Sequence, residues 1–138
     1  MGTVHAEIEL INWADIANAR SFTIGEEEIR RTRVTMLVDT GAYMMAINEH
    51  IQSYLGLPFI EKRQIQLADG QWTRCDVVGP VEVKFANRTA ICSAFVLPED
   101  SEPLLGAIPM EEMDVLVHPK RQELIVNPEH PDYAVLRL

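Results

Sequence analysis

The sequence has little of what marks several classes of protein. It contains two cysteines, Cys75 and Cys92, whose spacing matches no metal-binding pattern, and its four histidines are scattered. No apolar run approaches the ~18 residues of a membrane span, and the first residues lack the basic-then-apolar layout of a signal peptide. We therefore expect a cytoplasmic protein with reduced thiols, no metal and no membrane partner.

Basic residues are also few. The chain has 12 Lys and Arg against 21 Asp and Glu, which gives a net charge of −9 at neutral pH. Because nucleic-acid binding depends on basic side chains that neutralise phosphates, we expect no nucleic-acid partner. The sequence also lacks a glycine-rich loop that could hold the phosphates of a cofactor, and we expect no cofactor.

What the sequence does have is the composition of an ordinary globular protein. Apolar residues make up 47% of its 138 residues and charged residues 24%, which is enough for one core over residues 1–138. Short apolar or alternating segments separated by turn residues predict a mainly β sandwich or barrel. We expect a half-buried strand at Glu7–Leu10, a hairpin over residues 21–33 turning near Gly25, and a strand at Val34–Val38 buried on both faces.

Local signals place several further elements. Asn48 as N-cap, Gly56 as C-terminal residue and Pro58 beyond it predict a helix over 48–55. The Asp69-Gly70 pair predicts the turn of a hairpin over about Gln64–Val77. Further strands are expected at 81–85, 90–97, 115–117 and 123–126, with a short helix around 109–113 and an extended tail after Pro128.

The informative segment is Met36-Leu37-Val38-Asp39-Thr40-Gly41-Ala42. A carboxylate directly after a buried apolar strand must be hydrogen-bonded, near solvent, or sharing a proton. Gly41 lets the backbone approach this carboxylate, and Thr40 offers a hydroxyl that can brace the loop. These features suit general acid–base catalysis on water. The three residues are also common turn formers, so a simple turn at the end of a strand stays open as the alternative.

Three elements in order resemble the retropepsin-like aspartic proteases: Leu37–Ala42, the hairpin with its tip near Asp69 and Gly70, and Leu104-Leu105-Gly106 before a short helix. The resemblance covers about residues 20–127. It implies a closed β-barrel or sandwich with a flap hairpin, one or two short helices, and an aspartic endopeptidase acting on peptides or proteins. The chain holds one Asp-Thr-Gly, so the resemblance further implies a homodimer in which two Asp39 carboxylates share one proton.

The resemblance also assigns roles to individual residues. It implies a catalytic loop formed by Asp39, Thr40 and Gly41. The implied substrate-binding residues are Ala42, Tyr43, Ala68, Asp69, Gly70, Trp72 and Leu105. Residues 3–12 and the tail 128–138 are candidates for the dimer interface.

The sequence departs from the retroviral pattern at two points. Tyr43, Met44 and Met45 replace the small or acidic residues that hold the substrate backbone, which predicts a more apolar floor. Ala107 replaces an interface Arg, so a dimer must be held differently. Tyr43 is then either a core residue or substrate-facing, and Trp72 either a lid or packing for the hairpin. These departures motivate the alternative function, a weakly active or inactive binding or dimerisation module. Aspartyl phosphoryl transfer is disfavoured because residues 40–45 offer no second carboxylate for Mg²⁺.

Overall fold

The computed structural model describes residues 2–138, which form nine strands and three α-helices. The strands are β1 His5–Asn12, β2 Arg31–Val38, β3 Met45–Asn48, β4 Phe59–Gln66, β5 Trp72–Phe85, β6 Arg88–Leu97, β7 Leu104–Leu105, β8 Val115–His118 and β9 Glu123–Val126. The helices are α1 Trp13–Arg20, α2 Glu49–Leu55 and α3 Ala107–Met113, with a 3-10 turn at Glu26–Glu28.

Seven strands form one sheet, and six of them curl into a mostly closed ring. Their order is β1-β2-β7-β3-β6-β5-β4, and β1 also pairs with β5. The ring closes because Glu9–Asn12 lie opposite Val81–Lys84. Apolar side chains that alternate inward along the strands, such as Ile8, Leu10 and Val83, are fully buried. The mainly β barrel expected from the sequence is confirmed.

β4 lies outside this ring, and its pairing partner among the described strands is β5. The 14-residue β5 pairs with β4 through its first half and with β1 through its second. The hairpin predicted at Asp69-Gly70 is confirmed, since Gln66 lies opposite Trp72 and Gly70 adopts a φ of +87°, a left-handed conformation that favours glycine. The β4–β5 hairpin thus projects from the barrel with one sheet edge open.

Helix α2 forms where the local signals predict it. The Asn48 side chain accepts a hydrogen bond from the Ile51 N–H at 2.8 Å and so satisfies one of the free donors of the first turn. Gly56 ends the helix in the left-handed conformation with a φ of +57°. Helix α3 and the β8–β9 hairpin also lie where they are expected.

The predicted hairpin over residues 21–33 is wrong. In its place, helix α1 links β1 to its antiparallel partner β2, and the 3-10 turn lies between α1 and β2. Asp15 anchors this connection because its carboxylate accepts hydrogen bonds from the Arg30 backbone at 2.9 Å and from the Arg30 guanidinium at 2.9 and 3.0 Å. This ion pair lowers the pKa of Asp15. The connection that the sequence analysis reads as a simple turn is therefore held by a contact between residues fifteen positions apart.

Strand β2 differs from expectation in its burial. Met36 is fully buried, but Thr35 is exposed and donates a hydrogen bond to Glu7 at 2.9 Å. The strand therefore has one inner and one outer face, because it belongs to a barrel wall rather than to a sheet covered on both sides.

The C-terminal segment is tied back to the barrel by Asp114. This carboxylate accepts hydrogen bonds from the Asn127 amide at 3.0 Å, from His130 Nδ1 at 2.7 Å and from the Val135 N–H at 3.0 Å. The fully buried Arg88 lies 4.0 Å from the same carboxylate and donates to the His130 carbonyl. The donors around Asp114 lower its pKa to about 2, with the Val135 N–H contributing most. The expected extended tail is wrong over residues 128–133, which form turns and bends, because the contacts of His130 and Val135 with Asp114 fold the chain back on the barrel.

Candidate active site

Asp39 follows the last residue of β2 and is held by backbone contacts from distant parts of the chain. β2 and β7 run parallel, and the Asp39 N–H donates to the Leu105 carbonyl at 2.9 Å. The Gly41 N–H donates to Asp39 Oδ1 at 3.0 Å, and the Ala42 N–H donates to the Asp39 carbonyl at 3.1 Å. The Asp39 carboxylate is therefore oriented by its own loop and remains partly exposed.

The beginning of helix α3 holds the other side of this loop. The Ala107 N–H donates to the Ala42 carbonyl at 2.8 Å, and the Ile108 N–H donates to the Tyr43 carbonyl at 2.9 Å. Gly106 makes this contact sterically possible, because a Cβ there would lie 2.1 Å from the Met44 oxygen and 2.7 Å from the Ala42 oxygen. The Leu-Leu-Gly element thus acts as a backbone clamp on the loop that carries Asp39.

A cleft of about 500 Å³ opens beside Asp39. The lining residues come from the loop after β2, from β4 with the turn that follows it, and from strands β3, β6 and β7. Most lining residues are apolar, and two carry charged side chains, Asp39 and Arg63. The lining consists of Asp39, Gly41, Ala42, Tyr43, Met44, Ala46, Arg63, Gln64, Ile65, Gln66, Leu67, Ala68, Phe95, Leu97 and Leu104.

The structure brings half of the sequence-predicted site residues to this cleft. Asp39, Gly41, Ala42, Tyr43 and Ala68 line it. Thr40 is exposed on the loop, and its hydroxyl makes no hydrogen bond with residues 2–138. Asp69 and Gly70 lie at the hairpin tip, outside the cleft lining. The roles assigned to these residues stay predictions.

The exposed fractions of Tyr43 and Trp72 bear on the alternatives that the sequence left open for these two residues. Tyr43 is 72% exposed, so its interpretation as a core residue is wrong, and it lies at the mouth of the cleft. Trp72 is 62% exposed at the tip end of β5 and does not line the cleft. Exposure of both rings leaves them available to another molecule, but only Tyr43 is already beside Asp39.

Leu105 lies behind the cleft rather than in it. Its side chain is fully buried in the core, while the neighbouring Leu104 lines the cleft. Side chains alternate along a strand, so neighbouring residues face opposite sides. The predicted contact is therefore displaced by one residue, and Leu105 serves the site through the carbonyl that receives the Asp39 N–H.

Sequence reasoning missed the segment from Arg63 to Leu67. Six consecutive residues, 63–68, line the cleft, and since side chains alternate along a strand, the backbone of this segment must contribute to the wall. The signal available in the sequence was the predicted hairpin itself, because the first strand of a flap hairpin borders the cleft that the hairpin covers. Which residues face the cleft depends on the register with β5, and an Asp-Gly turn alone does not give the position of the hairpin over the loop.

The sequence resemblance depends on three elements: the loop that carries Asp39, the β4–β5 hairpin, and the backbone clamp formed by Leu104-Leu105-Gly106. A family model described as "gag-polyprotein putative aspartyl protease" matches residues 26–112, which include all three. The chain belongs to this family. This aspartyl protease family is retropepsin-like, which confirms the resemblance and supports a hydrolase acting on a peptide substrate. No curated protein matches the sequence.

The remaining metal-binding and nucleophilic side-chain types are placed as follows. Among residues 2–138, no group of three or more His, Cys, Asp or Glu is placed to hold a metal ion. Both cysteines are free, and burial raises the pKa of the Cys75 thiol and raises that of Cys92 to about 12. Such thiols are poor nucleophiles because the thiolate is the reactive form. No helix within residues 2–138 has the length and apolar character needed to cross a bilayer.

Proposed function

We propose that this chain is a homodimeric aspartic endopeptidase in which each subunit supplies one Asp39. The observation that carries the proposal is the position of Asp39, which is the carboxylate of a mostly apolar cleft. These 138 residues contain one Asp-Thr-Gly, and in the proposal a second copy of the chain supplies the other carboxylate of the pair. The match to an aspartyl protease family supports the same chemistry.

In the proposed dimer the two carboxylates lie close together and share one proton, because two negative charges at short range cannot both persist. The ionised carboxylate removes a proton from water, whose oxygen attacks the peptide carbonyl carbon. The protonated carboxylate donates its proton to the carbonyl oxygen. Collapse of the resulting diol breaks the carbon–nitrogen bond, and a proton passes to the leaving amine.

The part of the cleft lined by the β4–β5 hairpin suits an extended peptide. Residues 63–68 line the cleft and lie in or next to β4, whose second edge is unpaired within the described sheet. A peptide strand could add to such an edge by backbone hydrogen bonds. We therefore propose that the β4–β5 hairpin acts as the flap that covers the substrate and excludes water. The residues proposed for the dimer interface remain 3–12 and 128–138.

Cleavage of a peptide library tests this function. Asp39→Asn should reduce kcat/KM by about 100- to 10,000-fold, the range expected for loss of a general acid–base group. Asp100→Asn is the matched control, because this exposed carboxylate lies outside the cleft and should leave cleavage unchanged. The wild-type pH profile should be bell-shaped, since both the fully protonated and the fully ionised pair are inactive.

Two results would contradict the proposal. If wild type and Asp39→Asn both fail to cut any peptide, the chain is instead the binding or dimerisation module motivated by Tyr43, Met44 and Met45. If light scattering finds a monomer that cleaves peptides at full rate, the shared pair of Asp39 carboxylates is wrong. The cytoplasmic location is likewise a proposal, which the free thiols are compatible with.

A further inference from the structure

Arg63 is the second charged side chain of the cleft, and it has no role in the proposed cleavage steps. It lies in the middle of β4 and shares with Asp39 a lining that is otherwise apolar or carries amides. With residues 2–138 its guanidinium forms neither an ion pair nor a side-chain hydrogen bond. An arginine with all its donors unused at the wall of a binding cleft is a candidate for direct recognition of a ligand.

The strand register gives the direction of this side chain. Arg63 lies directly opposite Cys75 in the β4–β5 hairpin, and directly paired residues project from the same face. Cys75 is buried, so Arg63 is on the inner face. Lys62, one residue earlier, is on the outer face, where its Nζ pairs with Asp76 Oδ1 at 2.7 Å. The outer lysine thus has its partner within the chain, whereas the inner arginine does not.

We propose that Arg63 selects substrates with an acidic side chain, Asp or Glu, in the part of the peptide that runs along β4. This inference rests on the proposed function. A guanidinium presents a planar set of donors that matches a carboxylate, and the exposure of Arg63 leaves these donors accessible to a bound peptide. Ile65 and Phe95 line the same cleft as half-buried apolar side chains.

Charge in the assembled cleft favours the same conclusion. Two Asp39 carboxylates sharing one proton carry one negative charge, while two Arg63 side chains carry two positive charges. The charged lining of a dimeric cleft is then net positive although the whole chain is strongly acidic, at −9. Two-fold symmetry places the arginines on either side of the scissile bond, so the acidic preference should occur at matching distances on both sides.

Binding of uncleavable peptides tests the inference separately from catalysis. Reduced-amide peptides with Glu, Gln or Lys at each position around the blocked bond are titrated into wild type by calorimetry. We expect Glu to bind about twofold to fivefold more tightly than Gln at one symmetric pair of positions. This ratio should fall towards one in Arg63→Gln, and Arg63→Glu should favour Lys instead. Added salt should weaken the wild-type preference.

Arg74→Gln is the matched control. It removes the same charge from the same hairpin, but Arg74 lies opposite Gln64 on the outer face and does not line the cleft. It should keep the wild-type Glu preference. An unchanged Glu-to-Gln ratio in Arg63→Gln would overturn the inference, as would a changed pH profile of hydrolysis with no change in ratio, because Arg63 would then act on Asp39. A peptide that binds with the predicted preference but is never hydrolysed when its normal amide is restored would contradict the proposed function alone.

Discussion

Replacing Gly106 by alanine tests whether the clamp at the start of α3 determines the position of Asp39. The backbone at Gly106 has a φ of −98°, which any residue can adopt, so the substitution creates no conformational strain of its own. Its effect is steric: the new Cβ would lie 2.1 Å from the Met44 carbonyl oxygen, a backbone atom. Restoring an ordinary carbon–oxygen separation requires the loop to move by more than about 1 Å.

The expected loss of stability follows from this displacement. Overpacking a close contact costs about 1–3 kcal/mol. Moving the loop also breaks the hydrogen bonds from Ala107 and Ile108 to the loop carbonyls, each contributing about 1 kcal/mol. We therefore expect the free energy of unfolding to fall by about 3–5 kcal/mol. That is a large part of the ~5–15 kcal/mol available to a typical domain.

Urea unfolding followed by tryptophan fluorescence measures the change, and the midpoint should fall by roughly 2 M for an m-value of about 2 kcal/mol per M. Cleavage by the folded variant should drop about 100-fold, because Asp39 moves with the loop. Gly2→Ala is the control, since a Cβ there meets nothing within 4 Å. If Gly106→Ala unfolds and cleaves as wild type does, the clamp does not position the carboxylate.

Two further predictions concern titratable groups away from the cleft. The pKa of Asp114 is lowered to about 2, so its ionised form stabilises the folded state fully above the ordinary value of 3.8, and this stabilisation is lost as pH falls towards 2. The drop in urea midpoint between about pH 5 and pH 2.5 should thus be smaller in Asp114→Asn than in wild type, and equal drops would refute the reasoning. The raised pKa values of Cys75 and Cys92 predict that neither thiol reacts with Ellman's reagent at about pH 8 until denaturant is added. Rapid labelling of the native protein would show that these thiols are accessible.

The parts of the fold that depend on neighbouring residues could be predicted from the sequence. Helix α2 has its cap and its stop within ten residues, Asn48 and Gly56, and the Asp69-Gly70 turn needs only the two strands beside it. Helix α1 was missed because its eight residues lack an apolar stripe and its fixed position depends on the contact between Asp15 and Arg30. The false hairpin near Gly25 has the same origin, since turn residues do not show which strands they join.

The residues of the candidate site likewise divide into those that could be predicted from the sequence and those that could not. Asp39, Gly41 and Ala42 could be found because the motif is continuous in sequence, and they line the cleft. Arg63 and Leu104 could not, because their position depends on strand register, and a shift of one residue reverses the face of a side chain. The choice of Leu105 over Leu104 was such a shift.

The contacts that support Asp39 also decide when the site can exist during synthesis. Asp39 is synthesised before its supports, because its loop requires the Leu105 carbonyl and the N–H groups of Ala107 and Ile108, which are made more than sixty residues later. A growing chain therefore carries Asp39 through the synthesis of more than sixty further residues without the loop geometry that the folded barrel imposes. Assembly of the site is thus coupled to the synthesis of residues 105–108, and the nascent polypeptide has no ordered carboxylate loop before they are made.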